Sequence, residues 1–278
     1  MQIKGIRPWL RQEMEKGRLY VTLAELRSAF PEQTEANLKS SLTRASADNI
    51  IANGWQGFYL LLPASYAKRR GLPPGLYIDG LMRYLGKPYC VGLLSAAEIY
   101  GAAHQQPMTF TVMTSNPPPR NRRNSNSELV FVAKREFNKG IPDELLRKIK
   151  IKTGYLSVST PEFTALSLLQ YPKVSGGLSH VLTVLEELLE TCDFSRLPDC
   201  IGEYIPISCF QRLGYMSECI LKNHTIGEQL HLHLIRHSKG RYQAIRLDSS
   251  APREKKGFYS KRWKIHINTH LVSDSDDT

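Results

Sequence analysis

The chain has 278 residues, enough for two domains with separate cores, and its 41% hydrophobic content is ordinary for a globular protein. Its longest apolar runs, FYLLL at 58–62 and LVFVA at 129–133, fall far short of the roughly 20 residues of a membrane helix. A net charge of +11 favours anionic partners, of which nucleic acid is the commonest, and the short apolar runs leave no membrane partner expected. The start, MQIKGIRPWLRQEMEKG, is charged throughout and has no secretory h-region, which predicts a cytoplasmic protein.

Residues 2–17 have the composition of a first helix, with Ile3, Ile6, Leu10 and Met14 three or four apart and Gly17 as the break. VTLAELRSAF (21–30) opens on Thr22 with Glu25 three residues on. This is a capping box, in which each side chain satisfies an orphan amide at the helix start. Pro31 closes it. TEANLKSSLTRASADN (34–49) predicts a third helix with Leu38, Leu42 and Ala45 on one face. IIANGWQGFYLLLP (50–63) reads as two strands about an Asn53-Gly54 turn. Helix, helix, turn, helix, hairpin is the order of a winged helix-turn-helix. PASYAKRRGLPPG (63–75) reads as a basic linker, which divides the chain into a DNA-binding domain at 1–72 and a second domain at 73–278.

The second part alternates helices and strands. A helix is expected at 91–101, a strand at 108–114, a loop at 115–127 and a strand at 128–134. A hairpin follows at 149–159 about Thr153-Gly154. Thr160 and Pro161 then mark a helix start, as N-cap and first helical residue. Helices at 178–191 and 207–221 and strands at 229–235, 241–247 and 263–268 complete a mixed α+β domain. The fold class is therefore α+β, a winged helix-turn-helix followed by a larger mixed domain.

In the predicted third helix, the face opposite Leu38, Leu42 and Ala45 carries Gln33, Asn37, Ser40, Thr43 and Arg44. Asn and Gln can read adenine, Arg can read guanine, and hydroxyls can hold phosphates. Asn53 and Gln56 on the hairpin and Lys68, Arg69 and Arg70 after it would touch the backbone. Residues 236–264 add ten basic side chains against Asp248 and Glu254. Of these, Arg253, Lys255, Lys256, Lys261 and Arg262 are candidate phosphate contacts. By contrast, residues 186–203 hold six acids and one arginine.

Enzyme-like groupings are weaker. YCVGLLSAAEIYGAAHQQP (89–107) contains Cys90, Glu98, Tyr100 and His104. On one helix, however, Glu98 and His104 would stand about 240° apart, so packing is the better reading. In a strand, His231 and His233 would share a face, but no third metal ligand is selected by spacing. The five cysteines have no C-x-x-C pair and read as reduced, mostly buried thiols. P-loop, G-x-G-x-x-G, G-x-S-x-G and H-E-x-x-H motifs are missing from the chain. No catalytic residue, cofactor or metal is expected. A nucleic-acid-processing enzyme with a winged-helix targeting domain is the alternative.

GLPPGLYIDGLMRYLGKPYCVGLLSAAEIYGAAHQQP (71–107), TGYLSVSTPEFTALSLLQYP (153–172) and GGLSHVLTVLEELLE (176–190) give the chain its resemblance to the AbiEi antitoxin family, abortive-infection regulators of type IV toxin–antitoxin systems. The resemblance implies a non-enzymatic repressor that binds double-stranded operator DNA at repeats in its own promoter. It also implies an antitoxin that counters a nucleotidyltransferase-like toxin functionally, without requiring a stable complex.

Overall fold

The structure, a computed structural model, describes residues 5–68, 71–102, 108–123, 128–238, 241–251 and 258–272. The chain begins with α1 (Ile6–Glu15), β1 (Tyr20–Thr22), α2 (Leu23–Ala29), α3 (Glu35–Ala47), β2 (Ile51–Trp55) and β3 (Phe58–Leu61). The expected capping box is present at α2, where Thr22 accepts from the Glu25 amide and Glu25 accepts from the Thr22 amide. Thr34 caps α3 with a single bond, accepting from the Asn37 amide. Leu38, Leu42 and Ala45 are buried as their spacing predicts, in a core with Ile6, Leu10, Val21, Leu26 and Leu61.

The hairpin differs in its turn. Asn53 is still inside β2, paired with Tyr59, and the chain reverses at Gln56-Gly57, where Gly57 has φ +74°. A bulge between Asn53 and Trp55 absorbs the extra residue. Gly57 supplies the left-handed conformation that Asn53-Gly54 was expected to supply. β1 joins the hairpin to make a three-stranded antiparallel sheet in the order β1-β3-β2.

The stretch expected to be a linker is packed. It holds α4 (Ala64–Ala67) and a 3-10 turn at Pro74–Leu76, with Leu72 and Pro74 buried. α5 (Ile78–Tyr84), β4 (Tyr89–Val91), α6 (Leu93–Ile99), β5 (Thr109–Thr114), β6 (Arg122–Arg123), β7 (Glu128–Ala133), β8 (Leu146–Ile151) and β9 (Gly154–Ser159) follow. The strands form a mixed six-stranded sheet in the order β6-β7-β5-β4-β9-β8. Alternation along the strands sends Val91, Val112, Phe131 and Val158 to one face and Cys90, Met113 and Val132 to the other.

Both faces are covered. On the second lie α7 (Pro161–Gln170), α8 (Leu178–Leu188), α9 (Ile201–Tyr204), α10 (Ile207–Tyr215), which runs into a π-turn at Met216–Ile220, and α11 (His224–Ser238). α7 starts as expected, with Thr160 accepting from the Phe163 amide and Pro161 at the first position. On the first face α5 packs together with Phe58, Leu60 and Leu62 from β3 and the residue after it. β3 therefore serves two cores, with Leu61 facing the N-terminal helices and its neighbours facing α5 and the large sheet. A small sheet of β10 (Ile245–Arg246), β11 (Tyr259–Ser260) and β12 (Ile265–His266), ordered β10-β12-β11, ends the described chain.

The expected strand at 229–235 is instead part of α11. Ile226, Gly227, Leu230, His233 and Leu234 are its buried residues, a helical spacing that the alternating QLHLHLI segment hides. The strands expected at 241–247 and 263–268 shorten to β10 and β12. No helix among the described residues is long and apolar enough to cross a membrane.

Candidate nucleic-acid interface

α3 stands at the surface with one face in the N-terminal core. Ala36, Asn37, Ser40, Thr43 and Arg44 are exposed on the side away from Leu38, Leu42 and Ala45, and Gln33 is half-buried just before the helix. The helix earns this orientation from its spacing: the buried and exposed sets centre about 180° apart at 100° per residue. The side chains are short or folded back. Thr43 Oγ1 donates to Lys39 O at 2.9 Å, and Arg44 Nε donates to Ser40 O at 3.4 Å. Small residues and a guanidinium lying along its own helix leave the backbone of α3 open to close approach. The acid on this helix, Glu35, is paired with Arg27.

Gln56 is exposed at the hairpin turn, and its carbonyl accepts from Tyr84 Oη at 3.0 Å. The turn is thus tethered to α5. Asn53 lies in β2 and its side chain is outside the described set. Lys68 is exposed after α4, whereas Arg69 and Arg70 lie outside the described residues.

Between α3 and the hairpin runs a groove of about 470 Å³. Its floor is apolar, made by Leu23, Leu38, Leu42, Trp55 and Tyr59, and Lys39, Thr43 and Gln56 stand among its walls. A further wall comes from outside the N-terminal unit: Arg122 of β6 lines the same groove. Its guanidinium lies over the Trp55 ring, 5.4 Å from the centroid. Trp55 meets Phe131 edge-on at 6.3 Å and Tyr77 at 6.1 Å, so the indole is wedged between the two parts of the chain.

The register of β6 against β7 sets this direction. Arg122 pairs with Leu129, a residue of the core shared with β3, while Arg123 pairs with Glu128. Asn121 fixes the edge by accepting the Phe131 amide at 2.8 Å. Arg120, Arg122 and Arg123 are all exposed. Sequence reasoning missed them, because PPPRNRRN was read as a loop. Three arginines within four residues were the available signal.

The C-terminal basic stretch is less uniform than its composition suggests. Arg253, Lys255 and Lys256 lie outside the described residues, and Lys261 is exposed. Arg262 is committed within the molecule. It pairs with Glu228 and with Glu218 at 3.3 Å, and Glu218 also accepts from Trp263 Nε1 at 2.6 Å. A guanidinium held by two carboxylates is already neutralised before any phosphate approaches.

The enzyme-like groupings do not converge. Cys90 is fully buried in β4 and burial pushes its thiol up to about 12. Tyr100 donates to Ser159 O at 2.7 Å, and burial also raises its hydroxyl. Glu98 is half-buried on α6, its carboxyl raised by burial, and His104 lies outside the described residues. On a helix, His231 and His233 point about 200° apart rather than to one face. His231 meets Trp263 edge-on at 5.4 Å, and His233 stacks between Phe210 and His237 at 4.8 and 4.1 Å. Groups of three or more His, Cys, Asp or Glu arranged to hold a metal are not found among the described residues.

Comparison with known proteins bears on the larger part. No curated protein sequence matches the chain. Among solved structures, the crystal structure of the RV2827C protein from Mycobacterium tuberculosis is similar, with a TM-score of 0.62 over 95% of this chain and 92% of that one. The two are 15% identical, so the likeness is one of fold. Residues 90–219 match the AbiEi antitoxin C-terminal domain, a segment that runs from β4 to the π-turn after α10. With that domain in place around the large sheet, residues 90–219 are similar to the C-terminal domain of the AbiEi antitoxins.

Proposed function

We propose that the chain is a DNA-binding repressor of its own toxin–antitoxin operon and an antitoxin against a nucleotidyltransferase-like toxin. In this reading residues 1–72 form a winged helix-turn-helix that reads operator DNA, with α3 as the recognition helix and the β2–β3 hairpin as the wing. Residues 73–278 supply the antitoxin activity. The observation that carries the DNA half is the exposed face of α3, where Asn37, Ser40, Thr43 and Arg44 lie beside a hairpin on a basic chain. A solvated helix face usually carries more Glu and Lys. This one has the residue types that pair with base edges and phosphates. The antitoxin half is supported by the match at 90–219.

A mobility-shift assay on DNA from upstream of the chain's own gene tests the first half. Asn37→Ala and Arg44→Ala should each reduce discrimination between that DNA and a scrambled duplex, by about 1–3 kcal/mol for a bidentate base contact. Unchanged discrimination in both variants removes α3 from the reading role. For the second half, co-expression of the full chain should restore growth to cells making the protein of the neighbouring toxin gene. Failure to do so would sink the antitoxin assignment.

A further inference from the structure

We propose that Arg122 is a phosphate contact of the DNA interface, so that an edge strand of the large sheet, rather than the N-terminal unit alone, completes the groove that holds one strand of the duplex. This deepens the DNA-binding reading above and rests on it. The groove beside α3 has Lys39 and Thr43 on one side, Gln56 at the hairpin turn and Arg122 as a further wall. Two cations, a hydroxyl and an amide around an apolar floor suit a sugar–phosphate backbone. Its deoxyribose rings can lie on the half-buried Leu23, Trp55 and Tyr59 while its phosphates meet the rim.

Charge decides the occupant. The groove's acid, Glu35, is paired with Arg27, and Arg120 is exposed two residues before Arg122, whereas Arg123 alternates to the other side of β6 opposite Glu128. Position also matters. Arg122 comes from β6, whose register with β7 and whose Asn121 contact are fixed by the large sheet. Its guanidinium rests over Trp55, which is itself wedged against Tyr77 and Phe131. Little side-chain entropy is left for a phosphate to remove. Because phosphate contacts position a protein without reading bases, Arg122 acts on affinity and leaves sequence preference alone.

The test uses full-length protein and two labelled duplexes, one from the region upstream of its gene and one scrambled, titrated from 50 to 200 mM salt. One phosphate contact contributes about 0.9 to the log–log salt slope. Arg122→Gln should therefore bind both duplexes more weakly. Its disadvantage to wild type should shrink about 3.5-fold across that salt range, one contact's share. Arg122→Lys, which keeps the charge, should keep the slope, and this separates contact from mere support of Trp55. Lys150→Gln, on β8 at the opposite edge of the sheet, should behave as wild type. A wild-type slope in Arg122→Gln, or an equal loss in Lys150→Gln, overturns the proposal while leaving operator binding intact. If wild-type protein discriminates between the two duplexes not at all, the repressor reading itself falls.

Discussion

At the scale of single residues, the five thiols differ by environment rather than by chemistry. Burial pushes Cys90 up to about 12 and Cys209 up to about 11, whereas Cys219 is exposed on the π-turn. Thiolates are the reactive species, so burial protects twice, by excluding reagent and by holding the proton. A thiol reagent at pH 8 should label Cys219 first, and Cys219→Ser should remove that fast phase. Cys90 and Cys209 should react only on unfolding. Fast labelling of either, followed by peptide mapping, would mean that the core around β4 opens in the native state. The same residue-level view explains why YCVGLLSAAEIYG looked like an active site. Two of its polar groups hold the fold together, Ser95 bonding to Thr109 O and the Thr111 amide and Tyr100 reaching Ser159 O.

At the scale of elements, α11 carries a pH response. His233 is stacked between Phe210 and His237, and burial, then the nearby His237 and Arg236, lower its pKa from 6.5 to about 4, with Asp199 acting the other way. The fold therefore favours the neutral ring. This stability is fully present above pH 6.5. It is lost as pH falls toward 4, because the unfolded chain takes up a proton that the folded chain resists. Thermal melts between pH 7 and pH 4.5 should show Tm falling by about 5 °C more in wild type than in His233→Phe. Equal slopes would mean that the ring is already solvated. How far such elements were legible depends on whether local chemistry or distant packing decides them. The Thr22–Glu25 box and the Leu38, Leu42, Ala45 stripe are settled within a few turns of chain, and both were readable. The hairpin turn was not, since both Asn53-Gly54 and Gln56-Gly57 offer a glycine and it is Gly57 that takes the positive φ. The QLHLHLI segment misled because its alternation is shorter than the helix that contains it, and Leu232 is 55% exposed where a strand core was expected. For the proposed interface, the exposure of the α3 face was readable from spacing. The placement of β6 at its rim was not, because it depends on which sheet edge ends beside Trp55.

At the scale of the whole molecule, the N-terminal unit is interlocked with the large sheet. Gly80 on α5 lies against Tyr20, where a Cβ would come within 2.3 Å of the ring, and Tyr20 is itself stacked on Phe58 at 4.8 Å. In an open helix Gly→Ala gains about 1 kcal/mol. Here the sign should reverse, with Gly80→Ala losing about 1–3 kcal/mol by overpacking, measured as a shift in the denaturant midpoint. A stabilised variant would show that the contact is slack. The double-sided β3 has a consequence for how the protein comes into being. When the first 63 residues leave the ribosome, Leu61 can already find its helices, but Phe58, Leu60 and Leu62 must wait for α5 and for β9, whose last residue is Ser159. Synthesis at roughly 5–20 residues per second makes that wait a matter of seconds. A nascent or prematurely ended chain is thus left with an apolar sheet face uncovered and is drawn toward chaperones or aggregation. Completion of the domain that matches the antitoxin family becomes a checkpoint on the part of the chain that precedes it.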